Sequence, residues 1–80
     1  MTLGEACSKR ILDLCTENDI TLNKLSILCG ITQSTLNNIT SGASTNPTIS
    51  TVKKICDGLE MPLSFFFATE DFNTTEPEVK

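Results

Sequence analysis

The residues best equipped for recognition chemistry lie close together in the chain: Gln33, Ser34, Asn37, Asn38 and Ser41. A side-chain amide carries a donor and an acceptor at once, which matches the N6 and N7 edge of adenine in a DNA major groove, and a hydroxyl serves several base edges. At about 100° per residue these side chains spread over one side of a helix, with Thr35, Leu36 and Ile39 on the other. A helix that is merely solvated usually carries Lys and Glu, which are better helix formers, so a face of Gln, Ser and Asn gives up propensity. A surface that simply avoids charge is the alternative reading of the same residues.

Other chemistries are poorly provided for. Histidine is absent, and the four cysteines Cys7, Cys15, Cys29 and Cys56 include no pair at the two-residue spacing of a zinc knuckle. Each cysteine falls on or near the apolar side of a predicted helix, where a thiol behaves as a small hydrophobe. The expectation is reduced thiols, a cytoplasmic location, no metal and no cofactor. General acid–base catalysis at neutral pH leans on histidine or on tuned carboxylates in a cleft, and neither pattern is present, so the chain is not expected to be an enzyme.

Eighty residues allow one domain, burying about 60 to 65% of the surface the unfolded chain exposes. The longest apolar run, Phe65 to Ala68, is far short of the roughly 20 residues of a membrane span. Thr2 followed by Glu5 is a helix-capping pattern where a secretory signal would show a basic region and an apolar stretch. The net charge of -4 is unevenly placed: from Glu70 onward Glu70, Asp71, Glu76 and Glu78 stand against Lys80, so the first 69 residues carry only -1. A nucleic-acid partner is therefore compatible with the folded part, although the usual basic footprint is missing.

The elements that must position the polar face follow from hydrophobic period and stop signals. Residues from about Leu3 to Asn18 read as an amphipathic helix, with Cys7, Ile11, Leu14 and Cys15 on one side and Lys9, Arg10, Asp13 and Glu17 elsewhere. Thr21 caps a second, short helix with Leu22, Leu25 and Leu28 towards one side, and Gly30 ends it. Thr32 caps a third helix that stops at Gly42. Ser41 to Pro47 reads as a loop, and Pro47 with Thr48 opens a fourth helix along Ile49, Val52, Ile55, Cys56 and Leu59. Pro62 opens a fifth, from Leu63 to about Thr69. Two units result: a helical domain over residues 1–69 and a flexible acidic tail over residues 70–80.

Taken in order, Thr21, Leu25, Gly30-Ile31-Thr32, Ser34-Thr35-Leu36, Ile39 and Gly42 resemble the helix-turn-helix domain of the phage repressor and Cro group, the XRE family of bacterial regulators. Asn46-Pro47-Thr48, Lys53 to Leu59 and Leu63-Ser64-Phe65-Phe66 resemble short members of the same family. The resemblance implies an all-α, compact five-helix fold whose third helix enters the major groove of double-stranded DNA while the second crosses the backbone. By position it implies base-reading or groove-lining places for Thr32, Gln33, Ser34, Asn37 and Asn38. It places Ser41 and the loop after Gly42 at phosphate.

The chain departs from the family in charge. Leu22 stands where a phosphate-gripping glutamine is common, and Cys15 and Thr40 stand where many relatives pair an arginine with a glutamate. No Lys or Arg occurs between Lys24 and Lys53. Phosphate contacts then fall to helix N-termini, backbone amides, Lys24, Lys53 and Lys54, with Lys9 or Arg10 as further cations, and the salt dependence of binding is expected to be shallow. Phe66 matches a core position of the family, which leaves Phe65 and Phe67 as candidates for a homodimer surface; all three completing the core is the alternative. The expected function is a sequence-specific transcriptional regulator with no small-molecule site. A protein-interaction module on the same scaffold, such as an antitoxin or anti-regulator, is the competing reading.

Overall fold

The computed structural model describes residues 1–41 and 46–79. The expected stop at Gly42, most of the following loop and Lys80 lie outside the described residues. Among the described residues six helices follow one another: α1 (Leu3–Glu17), α2 (Leu22–Cys29), α3 (Gln33–Thr40), α4 (Ile49–Gly58), α5 (Leu63–Phe66) and α6 (Glu70–Asn73). Among the described residues there is no strand.

The four longer helices all begin with a threonine whose side chain satisfies a free backbone N–H. Thr21 Oγ1 accepts from Lys24 N at 3.0 Å, Thr32 Oγ1 from Thr35 N at 3.2 Å, and Thr48 Oγ1 from Thr51 N at 3.1 Å. At α1 the capping box is complete: Glu5 N donates to Thr2 Oγ1, and Thr2 N donates to Glu5 Oε1 at 2.8 Å. The C-terminal stops are less uniform. Gly30 ends α2 at φ 67°, as the stop signal predicts, but Asp19 after α1 and Glu60 after α4 take the same left-handed conformation without being glycine. In each of these two, the next amide closes the turn, Ile20 N on Cys15 O and Met61 N on Cys56 O, both at 2.9 Å.

The core runs from Ile11, Leu14 and Cys15 through Leu25, Leu36 and Ile39 to Val52, Ile55, Cys56 and Phe66. Helix α1 packs on α3, and α2 packs on both α3 and α4. Two predicted core positions are corrected. Leu28 is 42% exposed because the buried stripe of α2 is centred between Leu25 and Cys29, which leaves Leu28 at its rim. Ile49 is 69% exposed, in the first turn of α4 and one turn before the first buried residue, Val52.

A third difference concerns the C-terminal segment. Residues from Glu70 onward read as tail, yet α6 forms there and Phe72 packs against the core, its ring 5.8 Å from Phe66 and 5.0 Å from Phe67. A single aromatic in an acidic run has no period to announce it; the neighbouring rings recruit it after folding.

All four cysteines are free and buried. Burial pushes their thiols up, Cys29 from an ordinary value of 9.0 to about 11. A raised folded value means stability that is fully present below 9.0 and is lost as pH rises towards about 11. The expected result is therefore slow reaction of all four thiols with an aromatic disulfide reagent in the folded chain, fast reaction in guanidinium, and a urea midpoint that falls between those two pH values. A thiol that labels at the rate of free cysteine in the native state is the contrary outcome.

Gly58 sets the α2–α4 distance. A Cβ there would lie 2.6 Å from Cys29 Sγ, 2.9 Å from Leu28 O and 3.0 Å from Cys29 Cα, two of them backbone atoms that cannot swing aside. Gly58→Ala should cost about 1 to 3 kcal/mol despite alanine's better helix propensity, and lower the melting midpoint by several degrees. An unchanged or raised midpoint would contradict this packing.

Candidate nucleic-acid interface

Helix α3 is held by two residues. Leu36 and Ile39 are buried, while Gln33, Ser34, Asn37, Asn38 and the capping residue Ser41 are exposed on the side away from them. The structure thus brings together all five polar residues from which the sequence argument began. Thr35 departs from its expected place with the apolar pair: it is exposed, and its hydroxyl lies 2.8 Å from that of Thr32. Thr32 is exposed as well, but its oxygen is engaged as the N-cap and is less free than the amides of Gln33 or Asn38 for a contact outside the chain.

The Gly30 corner positions α3 against α2. The left-handed Gly30, the bond from Ile31 N to Ser26 O at 3.1 Å and burial of the Ile31 side chain together fix the turn. On the other side, a shallow depression lined by Thr35, Asn38, Ile39, Asn46, Pro47, Thr48 and Thr51 joins α3 to the start of α4. Of these, Thr35, Asn46, Thr48 and Thr51 add hydroxyls and an amide beside the polar face that the sequence analysis did not count as site residues. The signal that could have found them is the threonine cap itself, since a cap at the start of α4 must lie where the chain returns from α3.

The first and third helices meet through neutral groups. Ser8 Oγ donates to Thr40 O at 3.1 Å, and Thr40 Oγ1 donates to Leu36 O. Cys15 is buried in the core, and among the described residues no buried side-chain polar atom lacks a partner. Leu22 is half-buried against the core. It contributes packing at that position.

The cations divide sharply. Lys24 and Lys54 are exposed and have no ion pair among the described residues. Lys53 is exposed but lies 2.6 Å from Asp57, whose hydrogen bond and charge raise the lysine's pKa. Lys9 is held by Asp13 at 2.7 Å and Asp71 at 3.4 Å, and both carboxylates raise its pKa.

Arg10, expected among the exposed polar positions and as a further cation, is corrected outright. It is buried, with Nε 2.8 Å from Phe66 O, an Nη 2.6 Å from Phe65 O, and Glu17 at 3.7 Å. Its guanidinium also lies 5.1 Å from the Phe65 ring centre. Phe66 is completely buried, whereas Phe65 and Phe67 remain 49% and 36% exposed, the split that the resemblance implied.

These features define a class: a small all-helical domain in which a short polar helix stands outward from a tight helix–turn–helix corner. The sequence matches the family model described as helix-turn-helix over residues 11–66, most of the chain. The protein belongs to the XRE-type helix-turn-helix family, a family of DNA-binding, non-enzymatic domains. Comparison with the curated proteins and with the solved structures returns no match. Among the described residues no helix is long and apolar enough to cross a membrane, and no group of three or more His, Cys, Asp or Glu could hold a metal ion.

Arg10 links α1 to the end of α5, beside the exposed aromatics. Arg10→Met keeps the stem but leaves the Phe65 and Phe66 carbonyls without their donor, and should cost about 2 to 3 kcal/mol in a denaturant titration. Arg10→Lys, which keeps the charge and loses the fork, should fall between. Equal stability of the methionine variant and the parent would show that the carbonyls find another partner.

Proposed function

We propose that the protein is a sequence-specific transcriptional regulator that reads the major groove of double-stranded DNA with the N-terminal half of α3. The observation that carries this reading is the exposed, uncharged run of Gln33, Ser34, Asn37 and Asn38 on a helix anchored from behind by Leu36 and Ile39. Amides and hydroxyls without a cation discriminate bases by hydrogen bonding and contribute little non-specific attraction. Thr32 contributes at the groove edge through its methyl group. Phosphate is met by Ser41, Lys24 and Lys54, with Lys53 contributing when Asp57 yields it.

In this reading the domain acts in the cytoplasm as a homodimer through the exposed Phe65 and Phe67, with two recognition helices about 34 to 36 Å apart on a pseudo-palindromic site. The half-buried Leu22 and the exposed Phe65 also favour a second reading, in which the scaffold holds a protein partner in place of DNA.

In vitro selection of duplex sites with the purified protein tests both. A selected motif should lose about tenfold in affinity with Gln33→Ala or Asn38→Ala, the cost of one lost base contact. Lys54→Ala should weaken selected and unrelated duplexes alike and reduce the salt slope by about 0.9. No enrichment at low salt, with a stoichiometric protein retained from a nuclease-treated lysate of the source, would favour the second reading.

A further inference from the structure

The acidic segment after α5 does not leave the domain at its base. Phe72 pins it against Phe66 and Phe67, and from there it runs back along α1. Asp71 lies 3.4 Å from Lys9, Glu76 N donates to Met1 O at 3.0 Å, and Glu78 borders the same cleft as Thr40, Ser41 and Asn46, between the start of α1 and the end of α3. Asp71, Glu76 and Glu78 thus follow one another along one flank of the domain, and the last of them borders a cleft that the end of α3 also lines. They do two things there: Asp71 adds a second carboxylate to a lysine already paired with Asp13, and Glu78 adds a negative charge to the cleft that Ser41 also lines.

We propose that residues 70–79 form a built-in electrostatic brake on DNA binding. The inference rests on the DNA-reading function, because Ser41 and its surroundings are where that reading brings the phosphate backbone. A phosphate chain brought to this cleft meets Glu78 alongside the α1 carboxylates Glu5 and Asp13 that also line it, and finds Lys9 shared between Asp13 and Asp71. The repulsion acts on any duplex, since phosphates carry no sequence information, so the brake lowers non-specific binding and leaves base discrimination unchanged. It also accounts for the uneven charge of the chain. Three of the four net negative charges belong to residues 70–80, and the structure carries residues 70–79 along the flank of α1 to the cleft beside α3.

The test uses the full chain with D71N/E76Q/E78Q, a duplex site obtained by selection and an unrelated duplex of equal length, by fluorescence anisotropy at two salt concentrations. At low salt the triple variant should bind both duplexes about threefold to fivefold more tightly than the parent, as expected for removing a few partly screened charges near a polyanion. The gain should shrink at high salt, where the screening length falls to a few ångströms, about 3 Å at 1 M. Glu78→Gln alone should retain part of the gain, and Glu60→Gln, in the α4–α5 corner, almost none.

Equal affinities of parent and triple variant, or a gain with Glu60→Gln as large as with Glu78→Gln, would overturn the brake. If the parent still prefers the selected duplex in that case, the DNA-reading function stands. Binding by the triple variant alone would support the brake in its strongest form. Failure of both proteins to bind any duplex would overturn the DNA-reading function, and the brake with it.

Discussion

Everything outward-facing in this protein depends on two side chains, Leu36 and Ile39, being buried while the rest of α3 is not. An isolated helix of eight residues, rich in Asn, Ser and Thr, is unstable in water because nucleation is costly and its residues are poor propagators. Its helical form is therefore a tertiary product. Leu36 and Ile39 enter the core between α1 and α2, and the Gly30 corner fixes the angle at which they do so. That anchorage lets the exposed face carry groups chosen for hydrogen bonding over groups chosen for helix stability.

Threonine serves as a common device at this boundary between local and tertiary order. Thr21, Thr32 and Thr48 cap the helices that frame the polar face, each using its oxygen on the amide three residues on. A cap contributes about 1 kcal/mol, which matters most in helices of two turns. The same use of the hydroxyl limits what the residue can offer a ligand. Thr32 illustrates the conflict: it stands at the edge of the polar face with its oxygen already engaged, whereas Gln33 one position on has both ends of its amide free of any protein partner among the described residues.

Charge is handled with similar separation. Arg10 is drawn inward, where its fork ends α5 on two carbonyls and holds Phe66 beneath two exposed aromatics. Lys9 and Lys53 are shared with carboxylates one turn along their own helices. The two lysines without ion pairs among the described residues, Lys24 and Lys54, sit on the helices that flank α3 in sequence. Residues 1–69 thus carry a net charge of only -1, and the exposed face of α3 is made of amides and hydroxyls without a charge.

The sequence alone was enough for features whose cause is local. The four threonine caps, the glycine corner, the helical period of α1 and α4 and the polar face of α3 follow from residues within a turn of one another, and all are found, with Arg10, Thr35 and Ile49 the positions that change sides. The family likeness was legible for the same reason, since it is carried by the order and spacing of such signals. What only the tertiary structure decided involves partners distant in the chain. Arg10 looked like one more exposed cation because the carbonyls it serves lie 55 and 56 residues away. Phe72 looked like part of a tail because the rings that receive it belong to other elements, and Leu28 and Ile49 looked buried because a helical period gives the direction of a stripe but not its width. Hydrophobic pattern is a property of one helix at a time, whereas burial depends on which surface another helix happens to cover.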